Sequence, residues 1–379
     1  MIQQGYIGLN SISNLKNILI QHNPKNIFLV TGRASYKKCG AKKIIGPMLT
    51  GYNVTHFYDF EVSPKLNDIE KGIEIYKKNN CDFVIAVGGG SVMDIAKSVR
   101  AFAANDGSPE DYVKATKSVE NKGKPLVAIP TTAGSGAEAT HFAVVYIDKT
   151  KYSLAHEFIL PDYAIVDPHF TMTLPKNQTA ATGMDALAQG IESYWCINST
   201  DASKKYAAEA IKLAMENLGN AVNNPNEKAR EAMSKAAHLG GKAINISKTT
   251  ASHAISYPIT SYFNVPHGHA VALTLGKMLI YNAGITEEDV LDKRGVDYVK
   301  NMLNEIVNII GAESVEEASK KITNLMKEIG LGTKLSELGI KTDEDVEIII
   351  KNGFNPERVK NNPRRLTEEA LRKILDEIK

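Results

Sequence analysis

Four side chains in the second half of the chain have types and spacing suited to binding a metal ion. Asp185 and Gln189 lie in TGMDALAQGIESYWC, residues 182–196, a pattern that predicts the opening of a helix. Their spacing puts both side chains on one helical face. His253 and His267 follow in SHAISYPITSYFNVPHGHA. Carboxylate, amide and imidazole groups are all ligands for divalent cations, so the sequence indicates one metal site formed by these four residues.

Each of these ligands also has an explanation that needs no metal. Asp185 follows Thr182-Gly183 and could cap the start of the helix, and Gln189 could be a polar residue packed at a helix interface. Against this, three of the nine histidines fall within residues 253–269, in an otherwise apolar helical region. A carboxylate buried in the apolar run 184–187 would also be stabilised by a cation. At this level both readings stay open.

Two glycine-rich segments indicate a site for a phosphate-containing nucleotide. The predicted strand 82–87 ends in GGGS at 88–91, and a strongly helical segment follows. Glycines let a phosphate approach the backbone, and the N–H groups at a helix start point toward it. The predicted strand 124–129 runs into PTTAGSGAE at 130–138, whose hydroxyls suit hydrogen bonds to a nucleotide. The alternatives are a tight turn without a ligand and a glycine-rich surface loop.

The elements around these residues divide the chain into an α/β part and a helical part. Residues 1–168 alternate short apolar runs with helical segments, which predicts a mostly parallel sheet with helices outside it and a ligand site at the carboxyl ends of the strands. Within this part, a helix at 35–45 is expected to stop at Gly46-Pro47. Residues 169–379 predict only helices, and Pro258 should kink or split one of them. We therefore expect a nucleotide-binding domain at 1–168 and an all-helical metal-binding domain at 169–379.

Composition argues against several other classes of protein. The 379 residues include 45 basic and 43 acidic side chains, and this near balance gives no electrostatic reason to expect a nucleic-acid partner. No apolar run approaches the roughly 20 residues that span a bilayer, so no membrane partner is expected, and the N-terminus lacks the pattern of a secretory signal. The three cysteines are odd in number and widely spaced, which predicts a cytoplasmic protein.

Five ordered motifs resemble the iron-containing alcohol dehydrogenases over essentially the whole chain. They are GGGSVMDIAK at 88–97, PTTAGSGAEAT at 130–140, LPDYAIVDP at 160–168, GMDALAQGIESY at 183–194 and HAISYPITSYFNVPHG at 253–268. The resemblance implies a dehydroquinate synthase-like architecture, with an α/β nucleotide-binding domain followed by an all-α domain. It also implies a divalent metal, most often Fe²⁺ and in some members Zn²⁺ or another ion. In such enzymes NADH or NADPH delivers hydride to an aldehyde or ketone.

The resemblance implies roles for the residues of the metal site. The family's ligands are one Asp and three His, and their places are held here by Asp185, Gln189, His253 and His267. Gln189 is a departure, since most members carry His there, and an amide oxygen is a harder and weaker ligand than imidazole. Tyr257 is a second departure, at a place where many members carry a proton-relaying His. Tyr257 and His267 are the expected catalytic residues, although an unperturbed tyrosine pKa of ~10 makes a poorer proton shuttle.

The same resemblance implies a set of cofactor-binding residues. They are Gly32, Arg33, Gly88, Gly89, Gly90, Ser91, Asp94, Thr131, Thr132, Ser135 and Lys151. GGGS forms the pyrophosphate cradle, Asp94 braces that loop, and Lys151 reaches the ribose. Many NAD-preferring members carry Asp where Gly32 stands, and that acid would bind the ribose hydroxyls and repel a 2′-phosphate. Its absence, with Arg33 adjacent, makes NADPH acceptable on electrostatic grounds without excluding NADH.

The motifs HAISYP, VPHGHAVALTLG, ESYWCINST and VKNNPRRLT resemble a phosphonoacetaldehyde reductase-like subgroup. We therefore expect a small-molecule substrate, an anionic two-carbon aldehyde such as phosphonoacetaldehyde or its analogue sulfoacetaldehyde. Candidate residues for its head group are His141, Ser256, Tyr257 and His269, although His269 could equally be a helix-start residue without a substrate role. Reduction of simple aldehydes such as butanal or lactaldehyde is one alternative, and a non-catalytic nucleotide-binding protein with a metal site impaired at Gln189 is another. Family members are commonly dimers or larger, which implies a homo-oligomer.

Overall fold

A computed structural model describes residues 3–148, 150–354 and 356–379, and the chain divides into two compact units, Met1–Leu174 and Pro175–Lys379. The strands of the first unit are β1 (Gln4–Ile7), β2 (Asn26–Thr31), β3 (Asn53–Phe57), β4 (Phe83–Gly88), β5 (Leu126–Pro130), β6 (Phe142–Ile147), β7 (Thr150–Ala155) and β8 (Tyr163–Val166). Its helices are α1 (Asn14–His22), α2 (Ser35–Lys38), α3 (Ala41–Met48), α4 (Leu66–Lys78), α5 (Gly90–Ala103) and α6 (Pro109–Val113).

Six of these strands form one parallel sheet in the order β1-β8-β5-β4-β2-β3. The central strands β4 and β5 are buried along their whole length, as their continuous apolar runs require. Because side chains alternate along a strand, Val84 and Ala128 pack in a core with residues of α4 and α5. Phe83 and Val127 pack in a second core with residues of α1 and α3. The predicted α/β class of this unit is confirmed.

The sheet register brings the predicted nucleotide-binding segments to one edge. Thr31 of β2 lies beside Val87 of β4, and Gly88 lies beside Pro130 of β5. The segments that leave the carboxyl ends of these three neighbouring strands are Gly32-Arg33, the GGGS turn and the PTTAGSGAE segment. Carboxyl ends of neighbouring parallel strands are the usual ligand-binding edge of such a sheet.

The second unit is helical. Its helices are α7 (Lys176–Trp195), α8 (Asp201–Asn223), α9 (Glu227–Ser247), α10 (Ala251–Phe263), α11 (His267–Ala283), α12 (Val296–Ile310), α13 (Val315–Glu328), α14 (Asp343–Gly353), α15 (Pro356–Val359) and α16 (Glu368–Asp376). Helix α7 packs against α8, α9 and α11, and its side chains are buried from Gly183 to Trp195. In the described part of the chain, no helix combines the length and the apolar character needed to cross a bilayer.

Several helix boundaries differ from those predicted. Segment 182–196 is not the opening of a helix, because α7 begins at Lys176 and the Thr182 hydroxyl donates to the Gln178 carbonyl 2.8 Å away, one turn earlier. The alternative role of Asp185 as a helix-start cap is therefore wrong. Thr182 is a residue type that often caps a helix start, but here its hydroxyl bonds to the preceding turn within α7.

The predicted stop at Gly46-Pro47 is wrong, and so is a split of the helix at Pro258. The helix expected at 35–45 is two helices, α2 and α3, separated at Gly40, whose φ of 82° lies in the left-handed region, and α3 continues through Gly46-Pro47. Helix α10 continues through Pro258 as one element instead of splitting. Each helix is packed against neighbours, and burial outweighs the local preference. Strand β6 pairs antiparallel with β7 in a separate hairpin outside the parallel sheet.

Candidate active site

Three of the four predicted metal ligands lie together in the helical unit. Asp185 comes from α7, His253 from α10, and His267 is the first residue of α11. One ligand atom from each lies within 4.8 Å of the others. His253 Nε2 lies 3.4 Å from Asp185 Oδ1. That distance matches the separation of about 3.4 Å expected between two ligands that each lie ~2.1 Å from a tetrahedral metal. The donor set and its spacing fit a divalent cation.

A glycine allows the two helices carrying Asp185 and His267 to approach each other. A Cβ at Gly268 would lie 2.0 Å from the Ala181 carbonyl oxygen and 2.7 Å from the Asp185 Cβ. Neither atom is at the flexible end of a side chain, so a larger residue would push α11 away from α7. His267 precedes this glycine. The close contact at Gly268 therefore brings the His267 imidazole toward the Asp185 carboxylate.

Glu192, which the sequence reasoning did not single out, holds His253 in place. Its side chain is fully buried. Oε1 accepts hydrogen bonds from the Thr250 hydroxyl at 2.7 Å and from the backbone N–H groups of Ser252 at 2.9 Å and of Thr250 and His253 at 3.3 Å. The carboxylate thus caps the positive end of α10. Oε2 contacts His253 Nδ1.

This contact determines which nitrogen of His253 faces the cluster. Nδ1 donates its hydrogen to the Glu192 carboxylate, which directs Nε2 toward Asp185. Metal-ligating histidines commonly donate their other ring nitrogen to a carboxylate in this way. A sequence signal for Glu192 does exist: it follows Asp185 by seven residues and Gln189 by three, so all three lie on the same face of α7.

The second imidazole is positioned by Ser256. The Ser256 hydroxyl donates to the His253 carbonyl oxygen 2.7 Å away, and its oxygen lies 3.3 Å from His267 Nδ1. Since the hydroxyl hydrogen is engaged by the carbonyl, the oxygen accepts the Nδ1 hydrogen of His267. Nε2 of His267 then carries no hydrogen and can ligate a metal. Ser256 is fully buried, and its hydroxyl makes both of these contacts, so its role is to orient the two histidines.

The charge state of the cluster also suits a cation. Burial by itself lowers the pKa of His253, but the carboxylates of Glu192 and Asp185 outweigh it and raise that pKa to about 10. In the metal-free protein, His253 is therefore a cation between two carboxylates. A divalent metal bound at Nε2 would replace this proton and supply the positive charge that the buried carboxylates require.

Gln189 lies on α7 one turn beyond Asp185, and its residue is 3% exposed. Among the residues that the structure describes, no hydrogen-bond donor reaches its buried Oε1. A buried amide oxygen left unsatisfied costs about 1–3 kcal/mol, and a cation would compensate this cost. The unsatisfied oxygen keeps Gln189 as a candidate for the fourth ligand, beside the three residues that the structure brings together.

The glycine turn of the first unit has the form of a phosphate site. Helix α5 begins at Gly90, and its N-cap, Gly89, contributes no side-chain cap to the first N–H groups. A Cβ at Gly89 would lie 3.3 Å from Thr132 Cγ2, and one at Gly90 would lie 3.1 Å from the Ser135 hydroxyl. The turn and the PTTAGSGAE segment therefore adjoin each other, and the Thr131 N–H donates to the Gly88 carbonyl at 3.0 Å. An uncapped helix start beside clustered hydroxyls fits a pyrophosphate.

Asp94 lies on α5 in a buried charged cluster with Lys97, and the partly exposed Lys151 is close enough to act on it. Burial raises the pKa of Asp94 to about 6, although Lys97, a hydrogen bond from the Val144 backbone and Lys151 act in the opposite direction. Lys97 is itself buried and donates to the Phe142 carbonyl at 2.9 Å. Asp94 thus ties α5 to β6, a more specific role than the expected bracing of the glycine turn.

The other predicted substrate and cofactor residues differ in their surroundings. His269 is buried, and its Nε2 donates to the Gly332 carbonyl at 2.7 Å, which favours the reading without a substrate role. The Tyr257 ring stacks on the His267 ring with centroids 6.1 Å apart. His141, in the first unit, contacts the Phe142 ring with centroids 4.3 Å apart. Gly32 follows β2, and Arg33 forms an ion pair with Asp59.

Comparison with known proteins identifies the family of the chain. Residues 3–168 match the family described as iron-containing alcohol dehydrogenase, and residues 179–378 match the Fe-containing alcohol dehydrogenase family, C-terminal. The chain belongs to the iron-containing alcohol dehydrogenase family. It is therefore an enzyme, a metal-dependent oxidoreductase that works with a nicotinamide nucleotide, and the resemblance drawn from its five motifs is confirmed.

Relatives within the iron-containing alcohol dehydrogenases differ in their substrates. The phosphonoacetaldehyde reductase of Streptomyces viridochromogenes is 35% identical, with 78% of this chain and 76% of the relative covered. The NADPH-dependent butanol dehydrogenase of Clostridium saccharobutylicum is 30% identical, with 98% and 95% covered. The crystal structure of sulfoacetaldehyde reductase from Bifidobacterium kashiwanohense in complex with NAD⁺ superimposes with a TM-score of 0.89 at 32% identity, with 99% of this chain and 96% of the other covered.

Proposed function

We propose that this enzyme reduces a small anionic two-carbon aldehyde, phosphonoacetaldehyde or sulfoacetaldehyde, to the corresponding alcohol. The observation that carries the chemistry is the cluster of Asp185, His253 and His267, with Glu192 fixing the His253 tautomer. The substrate class is supported by the similarity to a phosphonoacetaldehyde reductase and to a sulfoacetaldehyde reductase, two proteins whose names specify aldehydes with anionic head groups.

The proposal assigns a role to each group of residues. Asp185, Gln189, His253 and His267 hold a divalent metal, and the GGGS turn with Thr131, Thr132 and Ser135 holds the nucleotide. When bound, the metal supplies a Lewis acid for the carbonyl group and the reduced nicotinamide supplies hydride. Tyr257, whose ring stacks on that of His267, would donate a proton to the product. Ser256 and Glu192 keep both imidazoles oriented.

Two further features belong to the proposal. The three cysteines are free and buried, which is consistent with a cytoplasmic location. We also propose a homo-oligomer, by analogy with the family. Light scattering of the purified protein would test the second point.

A side-by-side assay tests the substrate class. Catalytic efficiency is measured for phosphonoacetaldehyde, sulfoacetaldehyde, glycolaldehyde and butanal with the Fe²⁺-loaded and Zn²⁺-loaded enzyme and each nicotinamide cofactor. An anionic aldehyde should give the highest kcat/KM. His141→Asn should then raise KM for the anionic aldehyde more than for butanal. A maximum for butanal would replace the proposal with reduction of simple aldehydes, the second candidate, which the similarity to a butanol dehydrogenase favours.

The proposed role of Tyr257 as proton donor can be tested against a control substitution on the same helix, α10. Tyr257→Phe should lower kcat with little change in KM, because the hydroxyl would act during product formation. Tyr262→Phe removes a hydroxyl from an exposed ring five residues further along α10 and should leave both constants unchanged. Equal effects of the two substitutions would exclude Tyr257 as the donor. Metal analysis of the same preparations, with loss of activity on chelation and recovery on adding a divalent ion, tests the metal dependence and the non-catalytic alternative.

A further inference from the structure

An acidic residue stands beside Gly32 on the neighbouring strand of the sheet. Strands β2 and β3 are paired in parallel, and the last pair in register is Val30 with Phe57. Gly32 and Asp59 each lie two residues beyond that pair. Asp59 therefore follows β3 at the level at which Gly32 follows β2. This is the ligand-binding edge of the sheet, where β2 lies between β3 and β4, the strand that ends in the glycine turn.

The Asp59 carboxylate connects two cations at this edge. Oδ1 pairs with the Arg33 guanidinium, and Oδ2 accepts from Lys71 Nζ of α4 at 2.8 Å. The three side chains are 57%, 68% and 48% exposed, so they face solvent. Lys71 and Arg33 lower the pKa of Asp59, which is thus ionised at neutral pH. The group has two positive charges and one negative charge.

We propose that Asp59 is the residue that discriminates between the two nicotinamide cofactors at the 2′ position of the adenine ribose. This inference rests on the proposed nucleotide site. A carboxylate at the end of a strand next to the phosphate-binding turn can accept hydrogen bonds from ribose hydroxyls. The strand next to that turn, β2, is followed by Gly32, which has no side chain, and Asp59 supplies a carboxylate from β3, the next strand along the sheet. The same carboxylate repels a 2′-phosphate, which carries nearly two negative charges, and engages the two cations that would bind it.

The charge of Asp59 then sets the preference between NADH and NADPH. Exposed ion pairs are only weakly stabilising, so Arg33 and Lys71 can leave Asp59 for a 2′-phosphate. NADPH then binds, but it competes with Asp59, whereas NADH gains a hydrogen-bond acceptor. The wild-type enzyme should therefore bind NADH more tightly than NADPH. Removing the Asp59 charge should reverse that order, and removing either cation should weaken NADPH binding alone.

The test measures binding without catalysis. Dissociation constants for NADH and NADPH are determined by nicotinamide fluorescence with the full-length metal-loaded enzyme, in low-salt and high-salt buffer. For Asp59→Asn, the NADPH affinity relative to NADH should rise about tenfold, an effect that salt should reduce. Arg33→Gln and Lys71→Gln should shift the ratio the other way. Glu347→Gln is the matched control, because Glu347 is an exposed carboxylate paired with Arg372 in the helical unit.

The outcomes separate this inference from the proposed function. If wild-type protein binds both cofactors and Asp59→Asn leaves their affinity ratio unchanged, or weakens both equally, the role of Asp59 is refuted while the nucleotide site stands. If wild-type protein binds neither cofactor, both proposals fail. A changed ratio in Glu347→Gln equal to that in Asp59→Asn would show a general effect of surface charge and would also refute the specific role.

Discussion

Replacing Glu192 by Gln tests whether one buried carboxylate sets the metal affinity of the cluster. The amide oxygen of the new side chain can still accept from the N–H groups of Ser252 and His253 and from the Thr250 hydroxyl. The amide nitrogen then faces His253 Nδ1 and donates to it. His253 must therefore carry its hydrogen on Nε2, the atom that faces Asp185. The nearly isosteric substitution thus blocks the ligand position without removing the ligand.

The expected loss of metal affinity is about 10- to 100-fold, the range found when a residue that orients a metal-ligating histidine is changed. This corresponds to about 1.4–2.8 kcal/mol of binding free energy. The helix cap keeps its acceptor and loses only its charge, which should cost about 0.3–1 kcal/mol, so the variant should remain folded. The loss should therefore be much larger in metal binding than in thermal stability.

The assay is a titration of metal-free protein with Co²⁺, followed by its visible absorption and by competition with a chelator. Thermal unfolding of the same samples reports on folding. Glu305→Gln is the matched control, because the Glu305 carboxylate accepts from the Tyr194 hydroxyl at 2.8 Å and lies in the same unit outside the cluster. Wild-type Co²⁺ affinity in Glu192→Gln would refute the reasoning, and so would an equal loss in Glu305→Gln.

Three further substitutions test the packing, the second imidazole and the ribose site. Gly268→Ala places a Cβ 2.0 Å from a backbone carbonyl oxygen and should lower the free energy of unfolding by about 3 kcal/mol or more in a denaturant titration. Gly46→Ala is the control: a Cβ at Gly46 meets open space, so the free energy of unfolding should stay the same or rise. Ser256→Ala removes the acceptor of the His267 Nδ1 hydrogen and should weaken Co²⁺ binding about tenfold, and unchanged binding would contradict that role. Gly32→Asp should reduce NADPH affinity far more than NADH affinity, and an unaltered ratio of dissociation constants would count against a ribose site at this edge.

Much of the fold follows from local sequence patterns. The continuous apolar runs of β4 and β5 indicate buried parallel strands, and the glycines after β4 indicate a helix start suited to phosphate, because these signals are contained within a few consecutive residues. Residues 251–263 lie in the part of the chain predicted to be helical, and they form α10. Helix α1 and the strands β1 and β7 were not predicted, since short segments with mixed burial give weak periodicity.

The sequence by itself determined the residue types of the metal site and, through its motifs, the family. What it could not supply is the set of contacts between residues far apart in the chain. Glu192 and His253 are separated by 61 positions, and their hydrogen bond depends on how α7 packs against α10. Asp59 reaches Arg33 only because β2 and β3 are neighbours in register. Local propensity acts over a few residues, whereas tautomer, orientation and ion pairing depend on which helices and strands become neighbours, and only the tertiary structure decides that.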